Sequence, residues 1–372
     1  MPIGVALRAM LAAAGQTVAP SGYAYHAQIT VDADQVPADQ SNFTIPVSGA
    51  YDGTDGEPDI RTVGNGGNVQ NTANGGVSGS YTVPADLVFA ANSDGSSPYD
   101  FEIQEYDATT GKIIAWVEVP SLSSGTDTEF YMVYGDAGVV VSQEDVNGTW
   151  EAHFKAVYHL AETSGTLLDS TINGVDLTAF NEPTYGQVGQ IGNCLLFDDA
   201  LDQYLQATVA AATAHPVTMT CWVYPDTATA RLYAISLRDA SDADQLSLIL
   251  YGDVYGDRVR AYASGASAAA TAITTSGFTA NTWQHVAAVF TNTTSRAAYI
   301  NAGSKGTDAT DSGAVTDLDR TWVSRPTSLQ FSGRVDEVRI SDSVRDDDFL
   351  TTEYNSTSNP AFYAMGAEVS AT

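Results

Sequence analysis

Short segments that alternate apolar and polar residues, and that end in turn-forming residues, recur along almost the whole chain. Examples are YAYHAQITVDA (23–33), KIIAWVEVP (112–120) and WQHVAAVF (283–290). A period of two is typical of β-strands with one buried face, and long helical periodicity is nearly absent. The chain has 372 residues, which is enough for two domains with separate cores. The pattern therefore predicts an all-β protein with two domains.

A polar bridge, SQEDVNGTW (142–150), separates two blocks of predicted strands. The first block, residues 23–149, includes a Gly-, Asn- and Asp-rich stretch at 52–80 that is typical of a long surface loop. The second block, residues 150–368, contains roughly ten to twelve short strands, which is too many for a simple immunoglobulin sandwich and fits a larger two-sheet jelly roll. Aspartates in its first turn favour a short helix over 345–355.

The first 22 residues carry an apolar pattern of their own. Ile3, Leu7 and Leu11 fall on one face of a helix. No Lys or Arg precedes this apolar segment, so a secretory signal peptide fits poorly. We therefore expect a short docking helix that joins copies of the chain into a homo-oligomer or binds other surface proteins, with a cleaved signal as the alternative.

Charge narrows the possible surroundings and partners. The chain has 45 acidic and 15 basic residues, a formal net charge of −30. At molar salt the Debye length falls to about 3 Å, which removes most of the self-repulsion. The composition predicts a halophilic protein, with an ordinary acidic secreted protein as the alternative. The sequence shows no basic stripe for nucleic acid and no apolar run of about 20 residues for membrane insertion, so we expect neither partner.

The two cysteines, Cys194 and Cys221, leave two possibilities open. Both lie in strand-like segments. Their number permits one disulfide, but the spacing does not establish it, and two buried thiols are equally compatible with the pattern.

Seven segments come in the order and spacing of laminin-G-like, concanavalin A-like jelly rolls. They are VYHLAE (157–162), DSTING (169–174), GQIGNCLLFDDALDQYL (189–205), VTMTCWVYP (217–225), NTWQHVAAVF (281–290), SRAAYINA (295–302) and GRVDEVRISDSVR (333–345). Residues 150–355 therefore resemble this family, and residues 23–149 resemble a small β domain of unknown function that often precedes it in prokaryotic surface proteins. The resemblance implies a small β-sandwich followed by a concanavalin A-like jelly roll.

The resemblance also implies a structural calcium site. In jelly rolls of this type an early loop and the last strand often share an ion, and the matching residues here are Asp169, Asn173 and Asp336. Calcium prefers oxygen ligands of this kind. The alternative is that Asp169 caps a turn and Asp336 pairs with Arg334 or Arg339.

No catalytic residue is predicted. Glycosidases of the concanavalin-like class carry paired carboxylates in a pattern such as E-x-D-x-x-E, which the sequence lacks. Glu102 and Glu105 are three residues apart, so a regular strand would point them to opposite faces.

Sugar binding is instead expected from exposed aromatic side chains. Tyr251 and Tyr255 lie in the turn-rich segment YGDVYGDR, and Trp322 is expected in an exposed loop, because the stretch LDRTWVSRP is loop-like. Aromatic faces there would stack on pyranose rings.

The sequence thus predicts a non-enzymatic attachment or structural surface protein that binds a cell-surface glycan or glycoprotein. The poor signal peptide and the apolar N-terminal segment favour a virion component of a halophile virus, such as a capsid decoration, turret or tail fibre. The alternatives are a secreted cell-surface adhesin and a carbohydrate-active enzyme or its accessory module.

Overall fold

The computed structural model describes residues 22–54, 56–229, 231–241, 243–252, 256–325 and 330–371. The predicted N-terminal helix therefore lies outside the described residues. The chain divides into two compact units. One contains the chain up to Glu151 together with the residues from Asn355 onward, and the other is Ala152–Tyr354.

The described residues of the first unit form three small antiparallel sheets. Their orders are β24-β1-β8-β5, with β25 also on β1, then β2-β7-β6, and β3-β4, where β24 (Tyr363–Met365) and β25 (Val369–Ser370) are the two C-terminal strands. Pro46 lies in β2, an edge strand, where a missing backbone N–H is tolerated. The strands that precede the second unit are β1 (Tyr25–Val31), β2 (Gln40–Gly49), β3 (Thr72–Gly75), β4 (Tyr81–Pro84), β5 (Leu87–Ala90), β6 (Phe101–Asp107), β7 (Lys112–Leu122) and β8 (Thr128–Tyr134).

The second unit consists of two large antiparallel sheets. Their orders are β10-β13-β22-β15-β16-β17-β18 for the seven-stranded sheet and β11-β12-β23-β14-β19-β20-β21, with β9 also on β23, for the eight-stranded sheet. The strands are β9 (Phe154–Tyr158), β10 (Thr178–Phe180), β11 (Thr184–Val188), β12 (Asn193–Phe197), β13 (Tyr204–Ala207), β14 (Val217–Pro225), β15 (Arg231–Arg238), β16 (Gln245–Tyr251), β17 (Arg258–Ser264), β18 (Ala270–Gly277), β19 (Gln284–Asn292), β20 (Ser295–Ile300), β21 (Gly303–Asp308), β22 (Arg320–Val323) and β23 (Gly333–Ser341).

The core of the second unit lies between these two sheets. Leu237 and Leu248 of the seven-stranded sheet share one buried apolar cluster with Phe197 and Val286 of the eight-stranded sheet. Cys221 belongs to this core, and Cys194 of β12 is buried as well. Both are free thiols. The architecture confirms the all-β prediction, because two stacked sheets bury one face of each.

A single longer helix follows among the described residues. Helix α1 spans Asp347–Ser358 and overlaps the predicted 345–355. The chain then returns to the first unit, where β24 (Tyr363–Met365) and β25 (Val369–Ser370) both pair with β1. The second unit therefore ends at Tyr354, whereas the sequence placed its end at 368. These strands are two or three residues long, too short to show their partner through alternation.

A buried ionic network fixes helix α1 to the eight-stranded sheet. Glu353 on the helix accepts a hydrogen bond from Arg339 of β23 at 2.7 Å and lies 3.4 Å from His285 of β19. Glu337, which lies on β23 like Arg339, is 2.9 Å from Nδ1 of His159 and 3.3 Å from Arg339. All five side chains are buried. The network pairs charges that would otherwise be costly to remove from water.

Among the described residues, no helix is both long enough and apolar enough to span a lipid bilayer.

Candidate functional site

The seven-stranded sheet has a charge composition opposite to that of the protein. Its strands contain five arginines and no aspartate or glutamate, although acidic residues outnumber basic ones three to one in the sequence as a whole. The arginines are Arg231, Arg238, Arg258, Arg260 and Arg320. One sheet thus holds a local positive charge within a strongly acidic protein.

Strand register places these arginines on one face. Leu205 and Val323 are paired and belong to the core, so their neighbours Gln206 and Trp322 face away from it. The same alternation runs across the sheet and defines a surface that we call the arginine face. It includes Tyr204, Gln206, Arg231, Tyr233, Ser236, Arg238, Gln245, Ser247, Ile249, Tyr251, Arg258, Arg260, Tyr262, Ser264, Arg320 and Trp322.

The centre of the arginine face is filled by its own side chains. The guanidinium carbon of Arg238 lies 5.3 Å from the Trp322 ring and 6.0 Å from the Tyr233 ring. Ser236 and Ser247 are paired in the neighbouring strands β15 and β16, and their hydroxyl groups are 3.0 Å apart in a hydrogen bond. These small side chains leave room for the large Arg238, Trp322 and Tyr233 side chains. Arg238 is 1% exposed, so the centre of the arginine face is closely packed.

One end of the face is partly open and forms what we call the Tyr251 cluster, comprising Arg231, Tyr251, Arg258 and Arg260. The guanidinium carbons of Arg231 and Arg260 lie 4.1 and 3.9 Å from the Tyr251 ring centroid, and Arg231 also donates to the Tyr251 hydroxyl. Arg258 donates to the carbonyl of Thr274 at 2.5 Å. All four cluster side chains are partly exposed. Within the described ranges, neither Arg231 nor Arg258 has a carboxylate partner.

An aromatic pair lies at the opposite edge of the sheet. Phe180 of β10 pairs in register with Tyr204 of β13, which puts the two rings on one side of the sheet. Their centroids are 4.7 Å apart with an angle of 4° between the ring planes, and Phe180 is 37% exposed. An exposed stacked pair offers a flat apolar surface to a sugar ring. Sequence reasoning missed it, because β10 is three residues long.

The predicted ligand-binding residues have three different outcomes. Tyr251 lies in the cluster described above, but guanidinium groups already contact its ring. Trp322 was expected in an exposed loop, yet it lies in β22 and is 8% exposed, with its ring against Arg238. Pairing with β13 and β15 places it within the sheet rather than in a loop. Tyr255 lies outside the described residues.

Asp169 acts as a turn cap in the structure. Its two carboxylate oxygens accept hydrogen bonds from the N–H groups of Val157, Thr171 and Val175 and from the Thr171 hydroxyl, at 2.8 to 3.0 Å. Burial raises the pKa of Asp169 to about 6, against the lowering effect of these bonds. A calcium ion would have to displace these protein donors, so the geometry does not support Asp169 as a ligand.

Asn173 and Asp336 also bond to other residues of the protein. The side-chain amide of Asn173 donates to the carbonyl of Phe154 at 3.3 Å and to the hydroxyl of Thr171 at 3.0 Å. Asp336 Oδ2 accepts from the N–H groups of Gln190 and Ile191 at 2.8 and 2.9 Å, rather than pairing with an arginine. Burial, followed by the charge of Glu337, raises the Asp336 pKa well above its usual range. No group of three or more His, Cys, Asp or Glu suited to a metal occurs in the described ranges. Calcium therefore remains a prediction.

Asp169→Ala should test both interpretations of that residue. We expect the free energy of unfolding to fall by about 3 kcal/mol in excess calcium and in excess chelator alike, because buried N–H groups lose their acceptor. Thermal unfolding of the wild type in the two buffers is the control. A rise in wild-type melting temperature with calcium, absent from the variant, would restore the calcium site.

Glu102 and Glu105 do not form a catalytic pair. A register shift between Ile103 and Glu105 places the two glutamates on the same side of β6, so the expected opposite orientation is not observed. They nevertheless have separate surroundings. Glu102 is buried and accepts from the Trp150 indole at 2.5 Å, whereas Glu105 forms an ion pair with Lys112 at 2.6 Å. A buried glutamate bonded to an indole is not available to a substrate.

The first unit contains a groove of about 400 Å³ that the sequence did not predict. Segments that are distant in the chain come together there, so no local sequence pattern predicts the groove. Buried Ile113 and Met132 line it, and Glu57 is its charged residue. Its remaining lining comes from residues 48–50, 56, 58, 111 and 365–367.

Comparison with known families finds two family profiles that match successive parts of the chain. Residues 198–349 match the profile described as the concanavalin A-like lectin/glucanases superfamily. Residues 84–173 match a domain of unknown function, DUF2341. No curated protein matches the chain.

Several solved structures resemble part of the chain at low identity. Domain 4 of an extracellular GH43 arabinanase from Geobacillus stearothermophilus, solved with arabinotriose, is 18% identical over 54% of this chain and 98% of that domain, with a TM-score of 0.45. The binding domain of Paraclostridial Mosquitocidal Protein 1 is 11% identical over 56% of this chain and 53% of that one, with a TM-score of 0.45. The binding domain of botulinum neurotoxin DC with SialylT is 9% identical over 57% and 52%, with a TM-score of 0.44.

The chain spans about half the length of these two toxin domains, and none of the likenesses is close enough to assign a function. The family profiles confirm the resemblance that the motifs predicted: a match to DUF2341 at residues 84–173 is followed by a match to the concanavalin A-like lectin/glucanases superfamily at residues 198–349.

Proposed function

We propose that this protein is a non-catalytic attachment protein whose jelly roll binds a glycan or glycoprotein on the arginine face. The observation that carries the proposal is the make-up of that face. It combines aromatic rings with guanidinium donors. The Tyr251 cluster at one end is partly exposed, and the Phe180–Tyr204 pair at the other edge has Phe180 exposed. Aromatic faces stack on sugar rings, and guanidinium groups donate in a fixed planar fork.

The same face supports binding without bond cleavage. Hydrolysis of a glycosidic bond by the common route needs two carboxyl groups on either side of that bond. The strands that form the face contain no aspartate or glutamate. A sugar held there would meet hydrogen-bond donors and aromatic rings but no acid and nucleophile on those strands.

A glycan array with the full chain tests this function. We expect binding to one group of glycans and no release of reducing ends after prolonged incubation with the same glycans. Phe180→Ala should weaken binding. The matched control is Phe349→Ala, which removes a phenylalanine of helix α1 that packs against the eight-stranded sheet. Hydrolysis that one carboxylate substitution abolishes would replace the attachment function with a glycosidase.

We further propose that the protein works outside the cell on a virion surface, as a self-associating halophilic component. Support comes from the −30 charge and from the apolar residues Ile3, Leu7 and Leu11. Light scattering on the full chain and on a chain without residues 1–16 tests the self-association. Equal masses for the two proteins would remove the N-terminal segment from the proposal.

A further inference from the structure

We infer that the ligand of the arginine face is an anionic glycan, bearing carboxylate or sulfate groups that the Tyr251 cluster recognises. The inference rests on the proposed function and adds the chemical class of the ligand. It is carried by the acid-free composition of the seven strands and by the side-chain geometry of the cluster.

The strands of this sheet differ in charge from the chain as a whole. A surface selected only for hydration in salt would carry acidic side chains at its accessible strand positions, as Asp107 and Glu129 do in the first unit. Here partly exposed positions on β15 and β17 carry Arg231, Arg258 and Arg260 instead. Like charges on neighbouring strands repel one another. A bound anion would relieve that repulsion.

The cluster also presents its guanidinium groups in a fixed geometry. The Tyr251 ring holds Arg231 and Arg260 within about 4 Å of one centroid. Stacking on an aromatic face fixes the plane of a guanidinium and leaves N–H groups at its edge for an acceptor. A carboxylate or sulfate accepts two such bonds from an arginine, with the added strength of opposite charge. Arg231 and Arg258 have no carboxylate partner among the described residues to satisfy this role.

Charge elsewhere in the protein favours a glycan over nucleic acid. A duplex carries one phosphate per about 1.7 Å of its length, so a long polyanion would extend from the cluster over acidic surface. The net charge of −30 opposes that extension. An oligosaccharide with isolated acid groups can place one of them in the cluster and lay neutral rings along the sheet towards Phe180 and Tyr204.

Titration of the full chain with matched sugars tests the inference. The probes are sialyllactose, trigalacturonic acid and a sulfated oligosaccharide, each beside its neutral counterpart, together with a short DNA oligonucleotide. We expect at least one acidic sugar to bind about tenfold more tightly than its neutral counterpart. Arg231→Gln should remove that preference and Arg231→Glu should reverse it. Arg61→Gln is the control, because Arg61 also stacks on a tyrosine, Tyr51 at 4.4 Å, but in the first unit.

The outcomes separate this inference from the proposed function. A preference for acidic sugars that Arg231→Gln abolishes and Arg61→Gln preserves supports it. Equal binding of acidic and neutral sugars, unchanged by Arg231→Gln, overturns the inference and leaves the attachment function standing. Failure to bind any glycan overturns both. DNA binding as tight as that of the best sugar, with the same dependence on Arg231, overturns the assignment to a glycan. Because the comparison between acidic and neutral sugars uses the wild type, it stands even if a variant fails to fold.

Discussion

Replacing Glu353 by alanine should lower the free energy of unfolding by about 3–5 kcal/mol, the range expected when one partner of a buried ion pair is removed. Glu353 is buried between helix α1 and the eight-stranded sheet, 2.7 Å from Arg339. Without the Glu353 carboxylate, the buried charge of Arg339 keeps Glu337 as a carboxylate partner. Denaturant unfolding of the full chain measures the effect, and Asp348→Ala, an exposed acidic residue on the same helix, should cost less than about 1 kcal/mol. Equal effects of the two substitutions would contradict the role of the network.

The same residue should make stability fall in acid. Burial alone would raise the Glu353 pKa, but the charge of Arg339 and the interactions with His285 outweigh it and lower the pKa to about 2 from an ordinary value of 4.5. The unfolded chain therefore binds this proton at higher pH than the folded chain does. Its contribution to stability is complete above pH 4.5 and is lost as the pH falls towards 2. Glu353→Gln should flatten the pH dependence in that window.

Thermal stability should rise steeply with salt, by on the order of 10 °C between about 0.1 M and above 1 M sodium chloride. The formal charge of −30 makes the acidic surface repel itself, and added salt shortens the range of that repulsion. Sodium chloride is preferable to sulfate, because sulfate stabilises most proteins by exclusion from their surface. Sucrose at matched osmolality controls for effects that are not ionic. A melting temperature that does not change with sodium chloride would remove the argument for a halophilic protein.

Much of the fold could be predicted because short segments of the sequence specify the individual strands. The segment GRVDEVRIS coincides with β23, and VTMTCWVYP coincides with β14. In β14, Val217, Met219 and Cys221 alternate with polar or outward residues and enter the core, as a period of two requires. The return of the C-terminal residues to β1 could not be predicted, because β24 and β25 are too short to carry a pattern.

The candidate site was predicted less well, because its residues meet only through strand pairing. Arg231, Tyr251 and Arg258 come from three successive strands, and their register places them side by side. A signal was present in RVRAYAS, where two arginines and a tyrosine alternate with core residues on one strand. The acidic composition of the whole chain concealed it, and led to the expectation that no basic surface exists. Trp322 shows a different error. Its polar neighbours in the sequence suggested a loop, but the chain forms the buried strand β22 there.

A crystal structure of the full chain with the best-binding acidic sugar tests the central claim most directly. The account predicts that the sugar lies on the arginine face, with its acid group against Arg231 and Arg258 and a ring towards the Phe180–Tyr204 pair, and that its glycosidic bonds are intact. A sugar bound in the groove of the first unit, or on any surface away from the seven-stranded sheet, would contradict it.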